Sequence, residues 1–245
     1  MGPVFRPEMR WNKLHRLTRG DVCRKLETVS TGRLFRMRRH SALRFARISG
    51  IALLALLPGM AAAEVSVRKT VTYFDIRGAS AAELDRELSR RGPKTMKTGM
   101  RHPGATRIKF GGTVTYADVG HACRIDTVKV TVSTQLILPR WKKPKRHDKG
   151  LPLIWNTLAA DIKRHEERHA EIARNHARHM EKLFSRLPPQ RTCDAMQARV
   201  GEASRLALEE HDLEQARFDS IEAANFESRM TRLMHHRLSS RHALD

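Results

Sequence analysis

A change of hydrophobic period at Leu153 constrains this chain more than any other feature. From there Trp155, Leu158, Ile162, His165, His169, Ile172, His176, Met180, Leu183 and Leu187 step by three or four residues. Residues spaced that way share one face of a helix, so the run specifies a long amphipathic helix. Pro188–Pro189 end it after roughly 35 residues, because proline has no N–H and its ring clashes with the preceding turn. A second helical stretch runs from about Arg191 toward residue 217 and on to the C-terminus. Val200, Leu206, Leu208, Leu213 and Phe218 supply its apolar positions. Two helices joined by a tight proline turn suggest an antiparallel pair packed on whatever precedes them.

What precedes them is strand-like. Val65, Val67, Val71, Tyr73 and Phe74 make a β-branched and aromatic stretch that ends at Gly78. Ser80 then stands three residues before Glu83, a capping box. Leu84 and Leu88 follow at i, i+4, so residues 81–90 form a short helix closed by Gly92–Pro93. Residues 94–104 are a Lys/Gly/Pro loop. Residues 105–117 carry Ile108, Phe110, Val114 and Tyr116 as a second strand, with Gly111–Gly112 as a bulge or turn. Residues 122–138 hold Val128, Val130 and Val132 at period two, then Leu136, Ile137 and Leu138. They predict a long strand, or two with a bend, antiparallel to its neighbour and ended by Pro139. Arg140 to Gly150 is a basic linker read as a solvated loop. The expected class is α+β: a small antiparallel sheet with one short helix, then a long antiparallel helix pair.

Residues 165–169 read HEERH, a match to H-E-x-x-H. Two imidazoles one helical turn apart can both reach a zinc ion at about 2.0–2.1 Å. The Glu after the first His flanks the pair and can take a proton from an attacking water. His165 and His169 are therefore the expected metal ligands and Glu166 the general base. Both histidines fall on the apolar face of the helix. A catalytic zinc needs a third protein ligand and an open position. Metzincins place a third His ten residues after the first, and Asn175 stands there. His176 lies about 10.5 Å beyond His169 along a straight helix, which suits packing rather than ligation. Gluzincin-like sites take a Glu from the following helix, where Glu209, Glu210, His211 and Glu222 are available.

The compartment is legible at the other end. Met37 precedes Arg38, Arg39, Arg44 and Arg47, and Ile48 to Leu57 follow as an apolar run. Pro58–Gly59 break that run before Ala61, Ala62 and Ala63. This is the order of a cleavable signal peptide over residues 37–63. The run is too short to span the roughly 30 Å of membrane hydrocarbon as a helix. Residues 1–36 are then a disordered extension or lie upstream of a start at Met37.

The segment removed holds thirteen of the 47 Lys+Arg and three of the 26 Asp+Glu, so the charge falls from +21 to +11 for residues 64–245. A basic exported domain suits anionic envelope components and peptide or protein substrates. Export, together with an aromatic content of 5%, argues against nucleic acid, which needs stacking surfaces. Cys23 leaves with the signal; Cys123 and Cys193 form an even pair in an oxidising compartment, hence one expected disulfide.

Taken together these residues resemble a bacterial family of unknown function catalogued as predicted secreted zinc-dependent proteases. The resemblance lies in YFDIRGASAAEL at residues 73–84, Leu-Pro-Arg-Trp at 138–141, Trp155, the HEERHAEIA helix and Cys193 beyond it. It implies a zinc-dependent peptidase. The family also tends to carry a Tyr-Asp-x-x-Thr-x-His-Gly-like stretch near its end. Phe218–Asp219 looks like its start, with Glu222 at the Thr and Ala224 at the His. This chain lacks that His, and Glu222 is the expected substitute as third ligand, with His211 as the alternative. An oxyanion partner is also required, for which His211 and Tyr116 qualify by type. The other reading is a non-catalytic envelope module that keeps the fold with weak or no metal.

Overall fold

The computed structural model describes residues 62–94 and 101–242. The signal segment up to residue 61, and Cys23 with it, lie outside the described residues. The elements run β1 (Ala62–Ile76), α1 (Ala81–Arg91), β2 (Ala105–Asp118), β3 (Cys123–Trp141), α2 (Leu151–Ser185) and α3 (Cys193–His242). The α+β class is as expected.

The sheet is mixed rather than antiparallel, with strand order β1-β3-β2. Chain path explains this. Helix α1 and its loop return β2 to the end of the sheet at which β1 leaves, so β2 runs opposite to β1. The tight β2–β3 connection then makes β3 antiparallel to β2. Strand β3 inserts between the two and so lies parallel to β1. Nor does Pro139 end β3, which continues to Trp141. Beyond Ile137, the partner of Ala105, β3 has only β1 beside it, and a residue lacking an N–H is tolerated where one flank is open.

Cys123, Ile125, Val128, Val130, Val132, Leu136 and Leu138 of β3 are all buried. Their parity changes between Ile125 and Val128, where the β2–β3 register shifts at Thr115/Tyr116. The extra residue, Asp126, keeps both halves of the strand facing the same core.

Helix α1 keeps the first half of the capping box and shifts the second half by one residue. Glu83 N–H donates to Ser80 Oγ at 3.3 Å, while the Glu83 carboxylate accepts from Ala79 N at 2.6 Å. At its end Gly92 passes so close to His102 that a Cβ would stand 1.9 Å from the His102 oxygen.

Helix α2 buries one face in two stretches. Ala173, Ala177, Met180 and Phe184 join Val128–Val132 and Met196, Val200, Ala203 and Ala207 of α3 in one apolar cluster. Leu151, Trp155, Leu158 and Ile162 join Ile76, Leu84, Leu88, Leu136 and Leu138 in a second. The buried stripe of α3 is not the expected leucine set. Leu206, Leu208 and Leu213 are exposed, Leu213 at 71%. Alanines and polar residues fill that stripe instead, because α3 lies close against α2 and small side chains allow it.

The expected disulfide is present: Cys123 and Cys193 are joined, 70 residues apart in sequence. It ties the start of β3 to the start of α3, beside paired main-chain bonds between Cys123 and Gln190. Such bonds belong to oxidising, extracytoplasmic spaces. Among the described residues no helix is long and apolar enough to cross a membrane.

Candidate metal centre

The two apolar clusters leave a polar waist between them, and α2 and α3 meet there. The helices run antiparallel: Asp161 pairs with Arg229, Arg164 with Glu222, His169 with Gln215 and His176 with Glu214. On α3, His211, Gln215 and Asp219 follow at intervals of four, so all three face α2.

His165, His169 and Asp219 form the cluster. One donor atom from each lies within 4.8 Å of the others. Asp219 Oδ1 is 3.2 Å from His165 Nε2 and 3.0 Å from His169 Nε2, and the two Nε2 atoms are 3.0 Å apart. Tetrahedral ligands about 2.0–2.1 Å from zinc stand about 3.3 Å from one another, so the donors are spaced for one small ion. The chemistry agrees. Asp219 is buried and its Oδ2 has no hydrogen-bond partner. Two ring nitrogens and a carboxylate oxygen this close need a proton or a cation between them.

A proton on His165 is one way to meet that need. Burial opposes charge on His165, but hydrogen bonds to Asp219 and Glu222 overcome it and raise its pKa to about 9. Burial likewise pushes the Asp219 carboxyl up, yet the hydrogen bond from His165 brings it below the ordinary carboxylate value. Phe218 walls the site, stacked on His165 with ring centroids 4.9 Å apart and edge-on to His169. His165 is the way in: 22% of its side chain is exposed, against 6% for His169 and 6% for Asp219.

Glu222, expected as the third ligand, stands one turn further along. Its carboxylate is 3.6 Å from His165 Nδ1 and is held by Arg164 and by Arg229 at 3.2 Å. Burial raises its pKa, but His165 and the arginines bring it down to about 2. His211, the alternative, lies two turns from Asp219 and touches the cluster only through Gln215. Tyr116 packs with the apolar cluster at the other end of the sheet. His176 Nε2 meets Glu214 at 2.7 Å, the packing role that its spacing implied.

Glu166 is buried and turned toward the start of β2. The Thr106 hydroxyl lies 2.9 Å from both its carboxylate Oε2 and its main-chain oxygen. Gly104 leaves room for the other carboxylate oxygen, which a Cβ there would approach to 2.9 Å.

Asp219 is the residue that the sequence reading passed over. Its signal was the four-residue polar step 211–215–219 in line with Val200, Ala203 and Ala207, where a run of inward-facing polar residues needs partners inside the fold. Beside the cluster an open groove of about 400 Å³ is lined by Lys69, Arg164, Arg168 and Arg174, with Glu167, Glu171 and Phe218.

No curated protein and no solved structure matches the chain. A family model does, over residues 71–226, which run from within β1 to Phe226 and include every residue of the cluster. That is more than half of the sequence, and the chain belongs to the family described as "Bacterial protein of unknown function (DUF922)".

Proposed function

We propose that this protein is a zinc-dependent peptidase working outside the cytoplasm. The observation that carries the reading is the convergence of His165, His169 and Asp219 on one point, with Asp219 Oδ2 left without a partner. Two imidazoles and a carboxylate, with one side open past His165, match the donor set of hydrolytic zinc sites. Zinc held there would supply Lewis-acid activation of a scissile carbonyl and of water.

The chain's own groups supply the rest. Asp219 and His169 are buried and rigidly held, so they fix the site. Glu166, fastened by Thr106, takes the proton from the attacking water and returns it to the leaving amine. The groove beside Phe218 receives the substrate; Lys69 pairs with Glu167, Arg168 with Glu171 and Arg164 with Glu222, so Arg174 is the surplus cation that favours an acidic side chain or other anionic envelope material. The signal-like order of residues 37–63 and the disulfide support the extracytoplasmic setting.

A second reading draws on Glu166 itself. Its ties to Thr106 make it a fastener between α2 and β2, as a metal-stapled binding module would need. One variant separates the two. Glu166→Gln keeps the shape and the Thr106 bond but cannot act as a base. Loss of cleavage of a broad peptide library with zinc still bound supports the peptidase. No cleavage by either protein leaves the binding module, and cleavage unchanged in the variant takes the base role from Glu166.

A further inference from the structure

We propose that Gln215 is a positioning residue for the metal centre: its side-chain amide sets the tautomer of His169 and turns Nε2, bare, toward Asp219 and His165. This rests on the reading of His169 as a ligand.

The orientation of the amide follows from its surroundings. Gln215 is buried at 3% exposure, one turn before Asp219 on α3. Its Nε2 stands 3.2 Å from the main-chain oxygen of His169. A carbonyl oxygen only accepts, so the amide nitrogen is the donor there. The amide oxygen therefore faces the other way, and it lies 2.5 Å from His169 Nδ1. An oxygen also only accepts, so Nδ1 must carry the ring hydrogen. His169 Nε2 is left as the atom able to give a lone pair to an ion, and it is the atom 3.0 Å from Asp219 Oδ1.

The same logic runs one step outward. The second amide hydrogen donates to His211 Nε2 at 2.9 Å. His211 then holds its proton on Nδ1, which donates to Asp212 Oδ1 at 3.1 Å. Phe110 holds the His211 ring edge-on with centroids 4.9 Å apart. Asp212, His211 and Gln215 form a chain of donors and acceptors in which each link admits one assignment. His211 thus acts two removes from the ion rather than on it. Outer partners of this kind orient a ligand ring and raise its basicity.

The test compares Gln215→Leu and Gln215→Glu with the wild-type full chain. Leu keeps the volume and removes both functions of the amide. Glu keeps an oxygen toward His169 Nδ1. Zinc affinity is measured by competition with a chromophoric chelator, the ligand field from the visible spectrum of the cobalt-substituted protein, and the fold from the melting of the metal-free proteins. Gln215→Leu is expected to bind zinc about 10–100-fold more weakly with an altered cobalt spectrum, and Gln215→Glu to recover most of the affinity. Wild-type affinity and spectrum in a folded Gln215→Leu would overturn the proposal.

Nitrogen-15 spectra of the neutral imidazoles decide the case in which wild-type protein takes up no zinc. That result sinks the metal reading alone. His169 found protonated on Nδ1 in wild type, and losing that preference in Gln215→Leu, supports the role of Gln215; His169 protonated on Nε2 in wild type overturns it.

Discussion

Asp219 Oδ1 lies 3.0 Å from His169 Nε2, although 50 residues and a change of helix separate the two in sequence. That contact completes the candidate donor cluster and makes Asp219, rather than Glu222, the carboxylate to test. Asp219→Asn keeps the shape and removes the charge, and is expected to weaken zinc binding by on the order of 100-fold or more, beyond the range of outer-layer substitutions. Glu222→Gln should cost less than about 10-fold on the same scale. Titration against a competing chelator measures both, and the opposite ranking would return the ligand role to Glu222.

Gly104→Ala offers a way to disturb Glu166 without replacing it. The added methyl would stand 2.9 Å from Glu166 Oε1 and 2.8 Å from Ile162 Cγ2, so the carboxylate must move. Misplacing a catalytic group by about 1 Å can cost about 100-fold in rate. Peptide cleavage should fall on that order while zinc affinity stays within about threefold, since no ligand of the set is touched. Equal losses in both measurements would place the damage in the metal centre instead.

Replacing both Cys123 and Cys193 by Ser should destabilise the domain by about 4 kcal/mol on the chain-entropy account of a 70-residue loop. Urea unfolding of wild type with and without reductant, alongside the double variant, checks this. Reduced wild type and the variant should have the same midpoint.

The chelator-treated protein should be most stable in a window of mildly acid pH. His165 has a folded pKa of about 9, above its ordinary 6.5. Its contribution is complete below 6.5 and is lost as pH rises through 9. Glu222 has a folded pKa of about 2, below its ordinary 4.5. Its contribution is complete above 4.5 and is lost as pH falls toward 2. Unfolding free energy should therefore be flat between about 4.5 and 6.5 and decline on both sides. His165→Asn should flatten the alkaline limb; an unchanged limb would assign it to another group.

The parts of the fold that local geometry controls were readable along the chain. The α1 cap at Ser80 and Glu83, the period-two run of Val128, Val130 and Val132, and the spacing of His165 and His169 all sit within a few residues of their partners. The mixed sheet was not readable, because whether β3 lies beside β1 or at an edge depends on how α1 crosses the sheet end. Nor was the inner stripe of α3. Large leucines look like core positions, but the close approach of α3 to α2 selects Ala203, Ala207 and polar residues and leaves Leu213 in solvent.

By itself the sequence determined that two imidazoles lie one turn apart on the long helix, with Glu166 between them in sequence, since backbone hydrogen bonding makes that spacing a local property. The third donor was decided only by the tertiary structure. Which residue of α3 reaches His169 depends on how far α3 is shifted along α2. The turn at Pro188–Pro189, the Cys123–Cys193 bond and the packing of Met196, Val200, Ala203 and Ala207 against α2 and the sheet fix that shift together. A displacement of one helical turn would bring Gln215 or Glu222 to the point that Asp219 occupies, and no pattern within α3 alone distinguishes the three.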